Sequence, residues 1–202
     1  MAKKKRSMVE TWDPIDMIGG FYVRPGLFDR MGANAYRTGV SFTVSSIGAT
    51  KCTLCLFKHR EDEPFARLEF PDTYRIGNVY SMFVFDLDVK NIEYAYCFDG
   101  PHDEEKGLLF DKNRYILDPY ARSVAGQSVW GQKPGNADFF KARVVHTEYD
   151  WGDERKPYIK MQDLVIYELH VRNFTIDESS NVKYKGTFNG IKEKIPYLAD
   201  SD

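Results

Sequence analysis

Three polar side chains at alternating positions, Glu168, His170 and Arg172, are the group in this sequence that is best placed for a functional role. They share one side of a predicted strand, and the tyrosine and aliphatic residues between them share the other side. Polar residues at the end of such a strand can orient the loops at the rim of a sheet. A hydrogen-bonded network that satisfies polar groups inside the sheet explains the same pattern, and this is the favoured interpretation.

The elements around this group predict a strand, a loop and a helix. The apolar run 164–166 precedes it, which is typical of a strand buried on both faces of a parallel sheet. The polar residues 176–186 predict a loop, and Thr187 is a candidate cap for an amphipathic helix over 188–198 whose last turn Pro196 should distort. A single βα unit cannot cover its own faces, so residues 161–202 are predicted to be the incomplete start of a larger α/β domain.

Short alternating segments separated by turn residues occupy the first half of the chain. They predict strands at 39–44, 51–57, 65–70, 79–87 and 91–98. The sequence therefore predicts a mainly β fold, with an immunoglobulin-like β-sandwich over residues 16–120. Residues 1–15 contain a short basic run and are expected to be a flexible tail. Residues 121–160 are expected to be an irregular connector that packs on its neighbours.

Composition and motifs argue against several kinds of partner. The net charge of −2 favours neither nucleic acid nor a membrane surface, and the apolar runs are too short to span a bilayer. No signal-peptide pattern follows the basic run. The four histidines lack the spacing of metal ligands, and phosphate-binding glycine loops and hydrolase elbows are absent from the sequence. We therefore expect no metal and no cofactor.

The number of cysteines indicates the kind of cellular compartment in which the protein is found. An odd and low number of them, Cys52, Cys55 and Cys97, indicates a reducing compartment, and we expect a cytoplasmic protein. Cys52 and Cys55 have the spacing of a zinc motif, but no second pair completes such a site. Within a strand this spacing directs the two side chains to opposite faces, which favours buried structural thiols.

Several motifs resemble the α-amylase family of glycoside hydrolases. The segments 165–175 (Val-Ile-Tyr-Glu-Leu-His-Val-Arg-Asn-Phe-Thr) and 186–191 (Gly-Thr-Phe-Asn-Gly-Ile) are similar to the family's first barrel strand and the region after it. Leu-Asp-Pro-Tyr-Ala at 117–121, Asp-Gly-Pro at 99–101 and Phe-Asp-Lys-Asn at 110–113 are similar to the glycogen-debranching, isoamylase and pullulanase group. The combined motifs, in this order, are far more specific than any one of them.

This resemblance implies a β-sandwich in front of a (β/α)8 barrel, in which Glu168, His170 and Arg172 would lie at the barrel rim. It implies retaining hydrolysis of α-1,6 branch linkages in glycogen or starch by paired carboxylates. In the family these carboxylates lie on later barrel strands, so the chain is expected to contribute no catalytic residue and to be inactive alone. Its main partner would be the missing barrel. A non-catalytic glucan-binding module and a structural docking module are the alternatives.

The same resemblance bears on carbohydrate binding by the sandwich. Glycogen-binding modules of this kind present aromatic rings that stack on glucose units. Members that bind have a lysine and a tryptophan where this chain has Ala95 and His102. Tyr94 and Tyr96 share one strand face and could substitute as a ring pair, although a core position for that face is favoured. The candidate contacts are therefore Tyr94, Tyr96 and His102, and binding of α-glucans such as maltooligosaccharides is expected to be weak.

Overall fold

A computed structural model describes residues 8–126, 139–145, 150–155 and 157–200. The chain divides into two compact units, Met1–Tyr149 and Asp150–Asp202. The first unit is built from strands and the second contains only short helices among its described residues. The strands are β1 (Asp16–Ile18), β2 (Phe21–Pro25), β3 (Gly32–Tyr36), β4 (Gly39–Ser45), β5 (Lys51–Lys58), β6 (Pro64–Glu69), β7 (Arg75–Ile76), β8 (Val79–Phe85), β9 (Ile92–Asp103), β10 (Leu108–Ile116), β11 (Val124–Ala125) and β12 (Lys141–Arg143); the α-helices are α1 (Val171–Thr175), α2 (Phe188–Glu193) and α3 (Ile195–Ala199).

The strands of the first unit form two antiparallel sheets. The first sheet has the order β1-β2-β8-β4-β3, with β7 paired to β8. The second sheet has the order β11-β12-β9-β5-β6, with β10 also paired to β9. Strands β5 and β9 pair over their whole common length, from Lys51 opposite Asp99 to Lys58 opposite Ile92. The central strands of both sheets are therefore long and continuously paired.

The core forms where the inner faces of the two sheets meet. Every second residue of a strand points to the same face, so alternation along β4, β5, β8 and β9 supplies this layer. Fully burying a large apolar side chain contributes roughly 1.5–3 kcal/mol. The central members of the core are Val40, Phe42, Val44, Leu54, Leu56, Tyr80, Met82, Val84, Tyr94 and Tyr96.

The five predicted strands are present, with ends that differ by a few residues from the prediction. The sheets also include short strands that the sequence pattern did not predict. Strands β11 and β12 come from the predicted connector 121–160 and extend the second sheet. The basic run lies outside the described residues, whereas Val9 is buried and Trp12 packs edge-on to Phe83. Val9 and Trp12 are therefore packed, which the prediction of a flexible tail over residues 1–15 did not anticipate.

The second unit departs from its prediction more strongly. The predicted strand that would contain Glu168, His170 and Arg172 is absent. Residues 164–170 have no regular secondary structure, and Val171–Thr175 form α1. A strand satisfies its backbone groups only beside another strand, and the described part of this unit contains none. The structure thus shows a mainly β domain with a few short helices after it, and not the start of a barrel.

The predicted helix over 188–198 is interrupted in the structure. Thr187 caps α2 as predicted, because its hydroxyl oxygen accepts a hydrogen bond from the Gly190 amide at 3.2 Å. Pro196 lies in the first turn of α3, where its missing amide hydrogen costs nothing, so the helix restarts at this point. None of the helices in the described part of the chain is long and apolar enough to cross a membrane.

Candidate functional site

Tyr94 and Tyr96 lie on the inner face of β9. Their ring centroids are 5.8 Å apart, as expected for neighbours on one strand face, but the side chains are only 1% and 0% exposed. The Tyr94 hydroxyl donates a hydrogen bond to the buried Asp118 carboxylate at 2.7 Å. Burial raises the pKa of both phenols well above the ordinary value. Buried rings cannot stack on a sugar, so the assignment of Tyr94 and Tyr96 as glucan contacts is corrected to a core role.

The outer face of the second sheet carries an apolar cluster that other parts of the chain cover. Ring centroids of Phe57 and Tyr115 are 5.2 Å apart, and those of Tyr115 and Phe139 are 4.5 Å apart. These aromatic side chains cover the small residues on the outer face of β5 and β9, including Ala95, which is 0% exposed. We call this group the outer-face cluster, and it consists of Cys55, Phe57, Ala95, Cys97, Tyr115 and Phe139.

A buried ion-pair network borders one end of the outer-face cluster. The Lys141 ammonium lies 3.3 Å from the Glu93 carboxylate, and both side chains are almost fully buried. The other carboxylate oxygen of Glu93 lies 2.8 Å from Nδ1 of His59. Lys141 also donates to the carbonyl oxygen of Glu61 at 2.5 Å and lies 3.3 Å from Asp62. The network therefore ties the β5–β6 loop to β12.

A polar groove of about 420 Å³ borders the other end of the cluster. The Lys51 ammonium pairs with Glu69 at 2.7 Å across one wall. The Arg67 guanidinium donates to the Tyr115 hydroxyl and lies 5.1 Å from the centroid of that ring. The lining residues come from β5, β6, β9 and β10, and they are Lys51, Thr53, Arg67, Glu69, Cys97, Asp99, Lys112 and Asn113.

The groove combines hydrogen-bond donors and acceptors that suit a ligand with many hydroxyl groups. Lysine, arginine and asparagine can donate, and the carboxylates of Glu69 and Asp99 can accept. The ring of Tyr115 lies at its margin, but Arg67 and Phe57 already pack against that ring. The arrangement therefore supports polar recognition more than stacking.

His102 is the one predicted glucan contact that is exposed. It lies on β9 near the hairpin to β10, opposite Leu109, which is also exposed. The other position that the resemblance singled out, Ala95, lies beneath the outer-face cluster. A ligand on the present surface could therefore reach His102 but not Ala95.

Glu168, His170 and Arg172 do not lie along one face of a strand, because the predicted strand is absent. Glu168 and His170 are exposed in the irregular segment, and Arg172 is half-buried in α1. Nδ1 of His170 accepts a hydrogen bond from the Asn173 amide at 3.2 Å, which caps that helix. The structure gives His170 this local capping role, and a role at a barrel rim stays a prediction.

The groove residues were not among the predicted site residues. The alternation of Arg67 and Glu69 with apolar residues does indicate a polar strand face. However, a single sequence does not show that β5 pairs with β9, which brings the residues of β6 and β10 to one surface. The pairing of these two distant strands creates the site.

Comparison with known proteins identifies the first unit. Residues 30–121 match the family model of carbohydrate-binding module 48, the isoamylase N-terminal domain. Isoamylase 1, chloroplastic, from Arabidopsis thaliana is 32% identical over 189 residues, which are 89% of this chain and 24% of that protein. The glycogen debranching enzyme of Yersinia enterocolitica is 31% identical over 182 residues, which are 83% of this chain and 27% of that enzyme.

A solved structure agrees with these matches. The GBS pullulanase SAP, determined in complex with maltotetraose, superposes with a TM-score of 0.59 and 26% identity, over 84% of this chain and 22% of the pullulanase. The chain thus spans about a quarter of the length of the proteins it resembles. Residues 30–121 form a carbohydrate-binding module 48 domain, and the chain is homologous to isoamylases and glycogen debranching enzymes.

Proposed function

We propose that this chain is the sandwich-bearing part of an enzyme that hydrolyses α-1,6 branch linkages in glycogen or starch. The observation that carries the proposal is its homology to isoamylase 1 along 89% of its length, well beyond the carbohydrate-binding module. In this proposal the catalytic carboxylates belong to barrel strands outside these 202 residues, and the chain alone is inactive. The low cysteine count supports a reducing compartment such as the cytoplasm, although the Arabidopsis relative is named as chloroplastic.

The second unit supports a barrel as the partner of this chain. Val165, Ile166 and Tyr167 are 93%, 75% and 68% exposed, which is unusual for neighbouring apolar residues of a soluble protein. Such a segment is suited to form a strand once parallel neighbours are present. We infer that residues 161–202 become the first β/α unit of the barrel in the complete enzyme, with Glu168, His170 and Arg172 at its rim.

The sandwich would contribute weak contacts to the α-glucan. The polar groove offers hydrogen bonds, and the exposed His102 lies on a strand that also lines it. The match to a carbohydrate-binding family supports this role, and so does the pullulanase that was solved with maltotetraose. Because the ring of Tyr115 is already packed, we expect a dissociation constant on the order of 1 mM, or about 4 kcal/mol of binding free energy.

Titration of the isotope-labelled chain with maltoheptaose and with a branched glucan, followed by heteronuclear NMR, tests this role. Saturable shifts are expected at the amides of Thr53, Arg67 and Asn113. Lys112→Ala should weaken binding severalfold, and His102→Ala measures the contribution of the hairpin separately. If millimolar glucan leaves all these amides unshifted, the sandwich has a structural role only.

An activity assay tests the catalytic part of the proposal. The purified chain should release no reducing ends from pullulan or from a branched glucan, because the paired carboxylates would lie elsewhere. Hydrolysis above that of a heat-inactivated sample would contradict the assignment of catalysis to residues outside this chain. The binding assay and the activity assay are independent, so a result that contradicts one conclusion does not affect the other.

A further inference from the structure

Two cysteines face each other across the central strands of the second sheet. The sulfur atoms of Cys55 on β5 and Cys97 on β9 are 3.7 Å apart, and both belong to the outer-face cluster. Cys55 pairs with Ala95 and Thr53 pairs with Cys97, so the two thiols are diagonal neighbours on one sheet face. Cys52 lies on the opposite face of β5, in the main core, as its spacing from Cys55 predicts.

The surroundings give the two thiols different chemical roles. A guanidinium nitrogen of Arg67 lies 4.0 Å from the Cys97 sulfur, where it stabilises a thiolate. The hydrogen bond from Cys55 and the Arg67 charge lower the pKa of Cys97, whereas donation of that hydrogen bond and burial raise the pKa of Cys55. Cys97 also lines the polar groove, where its side chain is 3% exposed, whereas Cys55 is fully buried and does not line it. Of the two thiols, Cys97 is therefore the one nearer to a reagent in the groove.

We propose that Cys55 and Cys97 form a reversible thiol–disulfide modification site that reacts with small disulfides of the glutathione class. The proposal does not depend on glucan binding. The Cys97 thiolate attacks one sulfur of oxidised glutathione, which forms a mixed disulfide and releases one glutathione thiolate. The Cys55 sulfur then attacks the Cys97 sulfur, the mixed disulfide breaks, and the second glutathione leaves. The two protein thiols are oxidised, oxidised glutathione is reduced, and the two thiol protons pass to the two released glutathiones.

The positions of the three cysteines determine which disulfide this reaction can form. Only the pair on the outer face has its sulfur atoms within reach, since Cys52 points into the other layer of the domain. A disulfide between Cys55 and Cys97 would covalently link β5 to β9 beneath the groove. If the thiols serve only as packing groups, the native chain should keep them reduced until it unfolds.

The test is equilibration of the native chain in buffers of graded reduced and oxidised glutathione, followed by acid quench, alkylation and mass spectrometry. Most wild-type molecules should lose two hydrogens in the oxidising buffers, and non-reducing peptide maps should join the Cys55 and Cys97 peptides. Dithiothreitol should reverse the change. Cys52→Ala should behave like wild type, and Cys55→Ser should stop at a single glutathione adduct on Cys97.

Three results would overturn the proposal. The first is a native wild-type chain that keeps three alkylatable thiols while the urea-unfolded chain oxidises in the same buffer, because this would show that the fold protects them. The second is a peptide map that links Cys52 to either partner. The third is a Cys55→Ser chain that carries its adduct on Cys52. Because the wild-type measurement decides the first two results, a variant that fails to fold does not weaken the test.

Discussion

Two segments that the sequence predicts to be strands have different structures. Strand β9 alternates tyrosines with small residues and pairs with β5, β10 and β12. Residues 164–170 begin with an apolar run and then alternate, yet they have no regular structure and leave Val165 and Ile166 exposed. The difference is the presence of neighbours, because a strand needs partners for its backbone groups and a second layer for its apolar face. The strands of the first unit therefore supply one another with partners, whereas the described part of the second unit supplies no strand beside residues 164–170.

Hydrogen exchange should show the largest difference between the two units. Amides of β5, β8 and β9 should exchange mainly through global unfolding, which costs roughly 5–15 kcal/mol in a typical domain. Amides of 165–170 should exchange with almost no protection, because these residues lie in no strand or helix. Mass spectrometry of peptic fragments measures both sets in one sample, and light scattering confirms that the chain is monomeric. Equal protection in a proven monomer would refute the contrast.

Removal of the buried Lys141 ammonium group tests how strongly the stability of the first unit depends on its internal charges. Among the described residues, Lys141→Met leaves the buried Glu93 carboxylate with His59 as its remaining ion-pair partner, so the free energy of unfolding should fall by roughly 3–5 kcal/mol. The matched change Lys51→Met removes an exposed partner of Glu69 and should have little effect. Urea unfolding followed by circular dichroism measures both. Similar losses for the two variants would mean that the Lys141 network does not hold the loop to the sheet.

A pair of leucine truncations compares the units directly. Leu54→Ala opens a cavity between the sheets, where Leu54 is 0% exposed, and should cost roughly 2–5 kcal/mol. Leu164→Ala removes the same atoms from a side chain that is 42% exposed, and should change stability by about 0.5 kcal/mol or less. Thermal unfolding measures both effects. A large loss for Leu164→Ala would show that its segment has a buried partner in solution.

The outcome for β9 shows what alternation can and cannot reveal. The pattern correctly placed Tyr94 and Tyr96 on one face, and it correctly separated Cys52 from Cys55. The tyrosine face also carries Ile92 and Phe98, whereas the opposite face carries the charged Glu93 and Asp99, so the pattern favoured the tyrosine face as the inner one. The alternative assignment of the two tyrosines to a binding surface failed because both side chains are buried in the core.

The missed strands have a related cause. Strands β1, β7, β11 and β12 are two or three residues long, and so short a segment shows no periodicity. Strand β10 pairs with β9 through two register shifts, which break its alternation. The polar groove uses Lys112 and Asn113 from β10, so it could not be predicted without this pairing. The turn and cap signals around Thr187 were reliable because they act within a few residues.

The smallest expected effect concerns the pH dependence of the sandwich. Burial raises the pKa of the Asp118 carboxyl above its ordinary value of 3.8, despite the hydrogen bond from Tyr94. Between 3.8 and the raised value the folded state binds more protons than the unfolded state, so acidification through this window should stabilise the fold. Asp118→Asn cannot titrate, although it also alters the hydrogen bond with Tyr94. The stability of wild type minus that of the variant should therefore be larger near pH 4 than near pH 7.

Urea unfolding at several pH values measures that difference, and an aspartate of the second unit supplies the control. Hydrogen bonds from Ser179 lower the pKa of the exposed Asp177. The contribution of Asp177 to stability therefore has the opposite pH dependence. It is present above the pKa of the unfolded state and is lost as the pH falls through the pKa of the folded state. These contacts lie within the second unit, so Asp177→Asn should leave the pH dependence of sandwich unfolding unchanged. A change as large as that of Asp118→Asn would mean that the two units unfold together, and the contrast in stability between them would then fail.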